Sequence, residues 1–212
     1  MALTREAIVQ TAVKLLRRDG LEALSLRKLA AELNVSAPTL YWHIGSKREL
    51  LDLVAEELVR GHRNGPPDRP ADGQPWWEWL RDRSREIFDA LIATRDAPRV
   101  VAGNRPSLQT LPEADRVLGV LIDAGLPPGE AQHALFALGA YIIGSATEWQ
   151  EEAARAEAGL GFSVELAAAI RSGDYPHLAA AFRELHDQPP RATFEYGLQL
   201  MIDGLRARYA SE

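Results

Sequence analysis

Residues 24–50 read LSLRKLAAELNVSAPTLYWHIGSKREL, and their spacing sets the architecture of the first quarter of the chain. Ser25 is placed to cap a helix over 26–33, in which Leu26, Leu29, Ala30 and Leu33 recur at three- and four-residue spacing on one face. Asn34-Val35 makes a tight turn. Ser36 caps a second short helix, and Pro38 fits its first turn, where an N–H has no helical acceptor anyway. Leu40 and Ile44, four apart, fill the inward face of that helix. Pro38, Thr39 and Trp42 fall on the other side, with Ala37, Tyr41 and His43 on the flanks. Ser46-Lys47-Arg48-Glu49 has the form of a capping box and starts a further helix to about Gly61. Two short helices joined by a tight turn, with a polar and aromatic outer face, make a helix-turn-helix. That unit lays its second helix in the major groove of DNA.

Upstream, Thr4 caps a first helix to about Asp19, with Ile8, Ala12, Leu15 and Leu16 as its apolar stripe and Gly20 as its stop. Downstream, residues 61–75, GHRNGPPDRPADGQP, are too rich in Gly, Pro and charge for regular structure and mark the best domain boundary. The expected division is 1–60 for a DNA-binding head and 61–212 for a body. The body reads as helices over 76–93, 107–124, 129–158, 163–172, 177–185 and 191–209, with a short segment near 96–102. No stretch reads as a strand, so the fold class is all-α.

The chain has 212 residues, no cysteine and a net charge of -6. Disulfides and thiolate metal sites are excluded, which fits a reducing cytoplasm. No apolar run approaches the roughly 20 residues that span a bilayer, and no long apolar stretch follows Arg5 as in a signal peptide. The first 50 residues hold eight Lys/Arg against five Asp/Glu, whereas the rest hold 16 against 25. A mildly basic head on an acidic body suits a head that meets phosphates.

Aromatic residues on a short helix are as often core as functional. Here Leu40 and Ile44 already fill the inward face, so Tyr41 and Trp42 are better explained as facing DNA. Thr, Tyr and His then offer hydrogen bonds to phosphates and bases, and apolar side chains can pack on a thymine methyl. Arg27 and Lys28 are within reach of phosphate or a base. Lys47 stands at the positive end of a helix dipole, where a phosphate is favoured.

These residues carry a resemblance. The segment 4–59, and "RKLAAELNVSAPTLYWHIGSKRELL" above all, resembles the N-terminal domain of the tetracycline-repressor (TetR) family of regulators. The resemblance implies that Arg27, Ala37, Pro38, Thr39, Tyr41, Trp42, His43 and Lys47 form the DNA-binding set. Ala37 departs from the pattern: tetracycline repressors carry a base-reading glutamine there, and alanine cannot make that bidentate contact with adenine. "TRDAPRVVAGNRPS" (94–107) and "FEYGLQLMIDGLRARY" (194–209) are similar to the C-terminal domain of the tetracycline-repressor branch. By position, His62, Arg83, Ile87, Val101, Asn104, Arg105, Val117, Tyr141 and Glu148 stand where that branch lines its drug pocket. The resemblance implies a magnesium–tetracycline chelate held by a histidine, but Val101 occupies that place and a valine cannot ligate metal. Arg83 and Val117 replace an asparagine and a glutamine. A pocket of the same kind with a different ligand, and no metal or cofactor, is the expectation. Trp76, Trp77, Trp79, Phe88, Phe136, Tyr141 and Trp149 are candidate walls for a flat or hydrophobic ligand.

A homodimer follows from the resemblance and from two apolar stripes. One carries Phe194, Leu198, Met201, Ile202 and Leu205. The other carries Leu138 and Ile142 among small residues such as Ser145. Two such helices from each chain would make a four-helix bundle and hold two heads about 34–36 Å apart, one turn of DNA.

The resulting expectation is a ligand-responsive repressor that binds a palindromic operator. An activator of the same fold, or a DNA-binding protein without a ligand, stays open. An enzyme is disfavoured by the lack of a G-x-S-x-G, Walker or H-E-x-x-H pattern.

Overall fold

The computed structural model describes residues 3–60, 68–160, 164–185 and 188–210. Among these it contains eleven helices and no strand: α1 (Arg5–Asp19), α2 (Leu26–Glu32), α3 (Ala37–Tyr41), α4 (Lys47–Arg60), α5 (Trp76–Ile92), α6 (Ala97–Val101), α7 (Leu111–Asp123), α8 (Pro128–Glu157), α9 (Val164–Arg171), α10 (Pro176–Leu185) and α11 (Ala192–Tyr209). The boundary segment 61–67, with His62, lies outside the described residues.

The caps expected in the head are made. Thr4, Ser25 and Ser36 accept from the amides of Ala7, Lys28 and Thr39 at 3.1, 3.2 and 3.3 Å. Glu49 N–H donates to Ser46 Oγ at 3.1 Å, and Glu49 Oε2 reaches back one residue past the cap to accept from Gly45 N–H at 2.8 Å. Each cap satisfies an amide that the helix itself leaves without an acceptor. One element is shorter than expected. Residues 107–110 form a turn, and α7 begins only at Leu111. The Glu56 side chain accepts from the Ser107 amide and the Thr110 hydroxyl of that turn, and Pro112, which has no N–H, sits in the first turn of the helix that follows.

Helix α4 joins the two parts. It packs on α1 within the head, and on α5 and α6 within the body. Its buried residues Leu50, Val54, Ala55 and Leu58 belong to one apolar cluster that continues into Trp79, Phe88 and Leu121. In the body, α5, α8 and α11 pack on one another, and α7 lies on α8. Phe88 and Phe194 stack with ring centroids 3.8 Å apart, and Trp149 meets Phe88 edge-on. Helices α9 and α10 pack together.

A second joint ties the end of α1 to the body. Asp96 adopts φ 59°, a left-handed conformation that aspartate tolerates better than most residues. Its carboxylate accepts Leu21 N–H at 2.9 Å, and its own N–H donates to Gln150 Oε1 at 2.9 Å. Gln150 in turn donates to the carbonyls of Leu91 and Thr94. Gly20 opposite has φ 79°, and a Cβ there would sit 3.0 Å from Asp96 Oδ2, so the joint needs glycine for both its backbone angle and its lack of a side chain.

Candidate DNA-reading face and effector cavity

Most of the residues expected to meet DNA are exposed. Leu40 and Ile44 are buried at 1% and 0% exposure, whereas Tyr41 and Trp42 are 52% and 89% exposed. A tryptophan with most of its surface in water is unfavourable for an isolated domain and marks a contact surface. Arg27, Pro38, Thr39 and Lys47 are exposed as well, and Ala37 and His43 are half-buried. The Thr39 hydroxyl lies 2.7 Å from Ser36 Oγ, so the cap also orients it. Lys28 pairs with Asp19 at 2.8 Å, which commits it to the head's own surface.

Behind the head, a cavity of about 360 Å³ lies between α4 and the body. Helix α4 supplies Ala55, Glu56, Val59 and Arg60, and α5 supplies Arg83 and Ile87. Asn104, Pro106 and Thr110 come from the segment between α6 and α7. The remaining wall is Glu113, Ala114 and Val117 on α7 with Gln132 and Leu135 on α8. Arg83 pairs with Glu113 at 3.0 Å and lies 5.9 Å from the centroid of the Trp79 ring. Glu56 accepts from Ser107 N–H at 2.6 Å, Ser107 Oγ–H at 3.1 Å and Thr110 Oγ1–H at 2.9 Å. Nearer the start of α4, Arg48 Nη2 donates to Gly103 O at 2.7 Å. The segment 103–110 is therefore fastened to α4 at two points. Asn104 Oδ1 is buried without a hydrogen-bond donor among the described residues, which costs free energy in this arrangement.

Of the residues expected to line the pocket, Arg83, Ile87, Asn104 and Val117 share this cavity. Val101 and Arg105 lie close to Asn104 in the chain but off the wall. Tyr141 and Glu148 lie elsewhere. Tyr141 donates to the carbonyl oxygens of Thr193 and Phe194 and packs so closely on α11 that a Cβ at Gly197 would strike its hydroxyl. Glu148 borders a separate cleft with Trp149 and Phe194. The aromatic walls are corrected too, because among the described residues no aromatic side chain lines the cavity. Trp79 and Phe88 are fully buried where α5 meets its neighbours, Phe136 is exposed, and Trp76 borders a groove against α7. Large flat rings offer more contact area between packed helices than at an open wall.

The dimer stripe needs a similar correction. Leu138, Ile142, Leu198 and Ile202 are buried in the chain's own core. The large apolar side chains that α8 and α11 leave outside are Phe136, Tyr196 and Leu200. Met201 and Leu205 border an outer cleft between the two helices, and half-buried Ser145 borders another. The exposed residues lie two positions from the buried Leu138 and Leu198, which is roughly 200° around the helix.

Sequence reasoning missed Glu56, Arg60, Thr110, Glu113 and Gln132. A signal existed for the first two: Asp52, Glu56 and Arg60 recur every four residues on a helix whose opposite face is apolar.

A helix-turn-helix with an exposed aromatic reading helix, joined by one helix to a hollow helical body, defines a DNA-binding regulator that answers to a small molecule. Residues 8–54 match the family described as bacterial regulatory proteins, tetR family, and residues 69–209 match the tetracyclin repressor-like C-terminal domain. The class C tetracycline repressor of Escherichia coli is 36% identical over 203 residues, covering 96% of this chain and 90% of that protein. Among solved structures, ActR of Streptomyces coelicolor in complex with actinorhodin is 29% identical with a TM-score of 0.83, covering 100% of this chain and 99% of that one. A TetR variant from Acinetobacter baumannii in complex with minocycline is 30% identical with a TM-score of 0.76, covering 99% of this chain and 96% of that one. The chain belongs to the TetR family of transcriptional regulators.

Proposed function

We propose that this protein is a homodimeric repressor that occupies a palindromic operator through α3 and leaves it when a small molecule enters the cavity behind α4. The carrying observation is the position of α4. The helix starts at Lys47 beside the DNA-reading face and ends at Arg60 in the cavity wall. At about 1.5 Å per residue it is a rod of roughly 20 Å. An occupant that displaces Glu56 from Ser107 and Thr110 moves that rod and with it the spacing of the two heads. Such an occupant binds the released state better than the operator-bound one, as effector action requires. Arg27, Ala37, Pro38, Thr39, Tyr41, Trp42, His43 and Lys47 are the proposed DNA contacts. Arg83, Ile87, Asn104 and Val117 are retained as effector contacts, joined by Arg60, and Glu56 is assigned to transmission.

The proposed dimer contact is the outer face of α8 and α11, with Phe136, Tyr196 and Leu200 at its centre. The effector is a compound other than a magnesium–tetracycline chelate, since among the described residues no histidine lines the cavity. No helix among the described residues is long and apolar enough to cross a membrane, and we place the protein in the cytoplasm, where its DNA is. No catalytic activity is proposed.

Fluorescence anisotropy with the DNA upstream of the protein's own gene tests this, run with and without a small-molecule library. Specific binding released by a compound supports the reading. Specific binding at an operator that no compound releases, in a protein that binds those compounds, would count against an effector role for the cavity. Glu56→Gln should retain effector binding and lose at least tenfold in effector-driven release. Unaltered release in that variant rules out the proposed transmission.

A further inference from the structure

The charges around the cavity are unevenly matched. Arg83 is neutralised by Glu113 at 3.0 Å and lies near the face of Trp79. Both carboxylate oxygens of Glu56 are engaged by the Ser107 amide and by the hydroxyls of Ser107 and Thr110. Arg60 differs. It is the last residue of α4, half-buried, in the cavity wall, and without a carboxylate in ion-pair reach among the described residues. Glu56 stands one turn back on the same helix, but its oxygens are held by Ser107 and Thr110, so the Arg60 guanidinium is partly removed from water with no carboxylate in contact among the described residues. Its fork of donors matches a planar acidic group bidentately. Beside its polar residues the wall offers apolar surface from Val59, Ile87, Val117 and Leu135.

We propose that the effector is an organic anion, an apolar ring body bearing one acidic group, and that Arg60 is the side chain that selects the charge. The proposal rests on the reading of this cavity as the effector site. The cavity of about 360 Å³ has the size of a site for a small two- or three-ring compound. Binding an anion at Arg60 also places the occupant on the same helix that begins at Lys47, so recognition and transmission share one element.

The test uses two dyes with the same anilinonaphthalene rings. 1-Anilinonaphthalene-8-sulfonate carries an anionic group, and N-phenyl-1-naphthylamine lacks it. Each is titrated by fluorescence against the full-length protein and the variants Arg60→Gln, Arg60→Lys and Ala114→Trp. Ala114 is exposed at the cavity wall, so a tryptophan there fills the cavity without disturbing the core. The sulfonate should bind the unmodified protein at least tenfold more tightly than the neutral dye. Arg60→Gln should erase that preference while leaving the Kd of the neutral dye within twofold, and Arg60→Lys should keep part of it. Ala114→Trp should weaken both dyes at least tenfold. Equal affinity of the two dyes in the unmodified protein, or a preference that survives Arg60→Gln, overturns the assignment of the anion to Arg60. If Ala114→Trp leaves both titrations unchanged, the cavity reading itself fails and the proposal fails with it.

Discussion

The reading helix of the head and the helices around the cavity of the body treat their aromatic residues in opposite ways. In the head, Tyr41 and Trp42 stand in solvent while small aliphatic residues fill the core beneath them. In the body, Trp79 and Phe88 are wholly enclosed and the cavity is walled by aliphatic and polar side chains. The difference shows where each part meets its partner. A DNA duplex arrives from outside and needs surface rings and hydroxyls. A small molecule enters between helices, and the rings there serve to hold the helices apart and in register.

The largest effect expected from this contrast lies on α11, where one face is core and the next is free. Leu198→Asp buries an unpaired carboxylate and should abolish folding, seen as loss of the cooperative thermal transition. Leu200→Asp, two residues on but exposed, should keep the helical signal and shift sedimentation from dimer to monomer. A dimer that survives Leu200→Asp moves the interface off this face.

Next comes the same opposition within the reading helix. Leu40→Ala should cost about 2–5 kcal/mol by urea unfolding, the usual range for emptying a buried leucine site. Trp42→Ala should change stability by no more than about 0.5 kcal/mol, as at most exposed positions, and still lower operator affinity at least tenfold. Loss of stability without loss of affinity in Trp42→Ala would return that ring to the core.

The joint at Asp96 gives a pH signature. Burial pushes its carboxyl pKa up, but the Leu21 N–H and the charges of Arg99 and Arg95 pull it down by more, and the net value lies below the usual carboxylate range. A carboxyl whose folded pKa is depressed stabilises the fold above its unfolded pKa and loses that contribution as pH falls through the folded value. The stability gap between the unmodified protein and Asp96→Asn should therefore be full at pH 7 and shrink as pH drops below about 4. A gap independent of pH would mean that the Leu21 contact does not depend on the charge.

The smallest effect is at Lys47. Lys47→Ala should weaken operator binding modestly, leave the melting temperature alone and reduce the salt slope of log K by about one, as expected for one lost phosphate contact. An unchanged slope removes Lys47 from the phosphate-binding set.

Much of the head was legible because its constraints are local. Thr4, Ser25, Ser36 and Ser46 each cap the helix that follows within three residues, and the inward placement of Leu40 and Ile44 follows from helical spacing alone. The body was legible as helices, though not in how they face one another. Periodicity marks Leu138, Ile142, Leu198 and Ile202 as an apolar stripe, but a stripe does not say whether it meets the chain's own α5 or a second copy. The start of α7 at Leu111 follows from Pro112, which lacks an N–H and suits only the first turn of a helix; the Glu56 contact with the turn before it spans some fifty residues.

Reading the residues in order was therefore enough for the helix-turn-helix, its caps and the exposed reading face, because each depends on neighbours within one or two turns. Three-dimensional packing settled the rest: which apolar stripes are core, which aromatics are buried between helices, and that Glu56, Arg60, Arg83, Asn104 and Val117 surround one cavity. That grouping depends on how α4, α5, α7 and α8 cross, and the crossing is set by the packing of many side chains at once, none of which carries it alone.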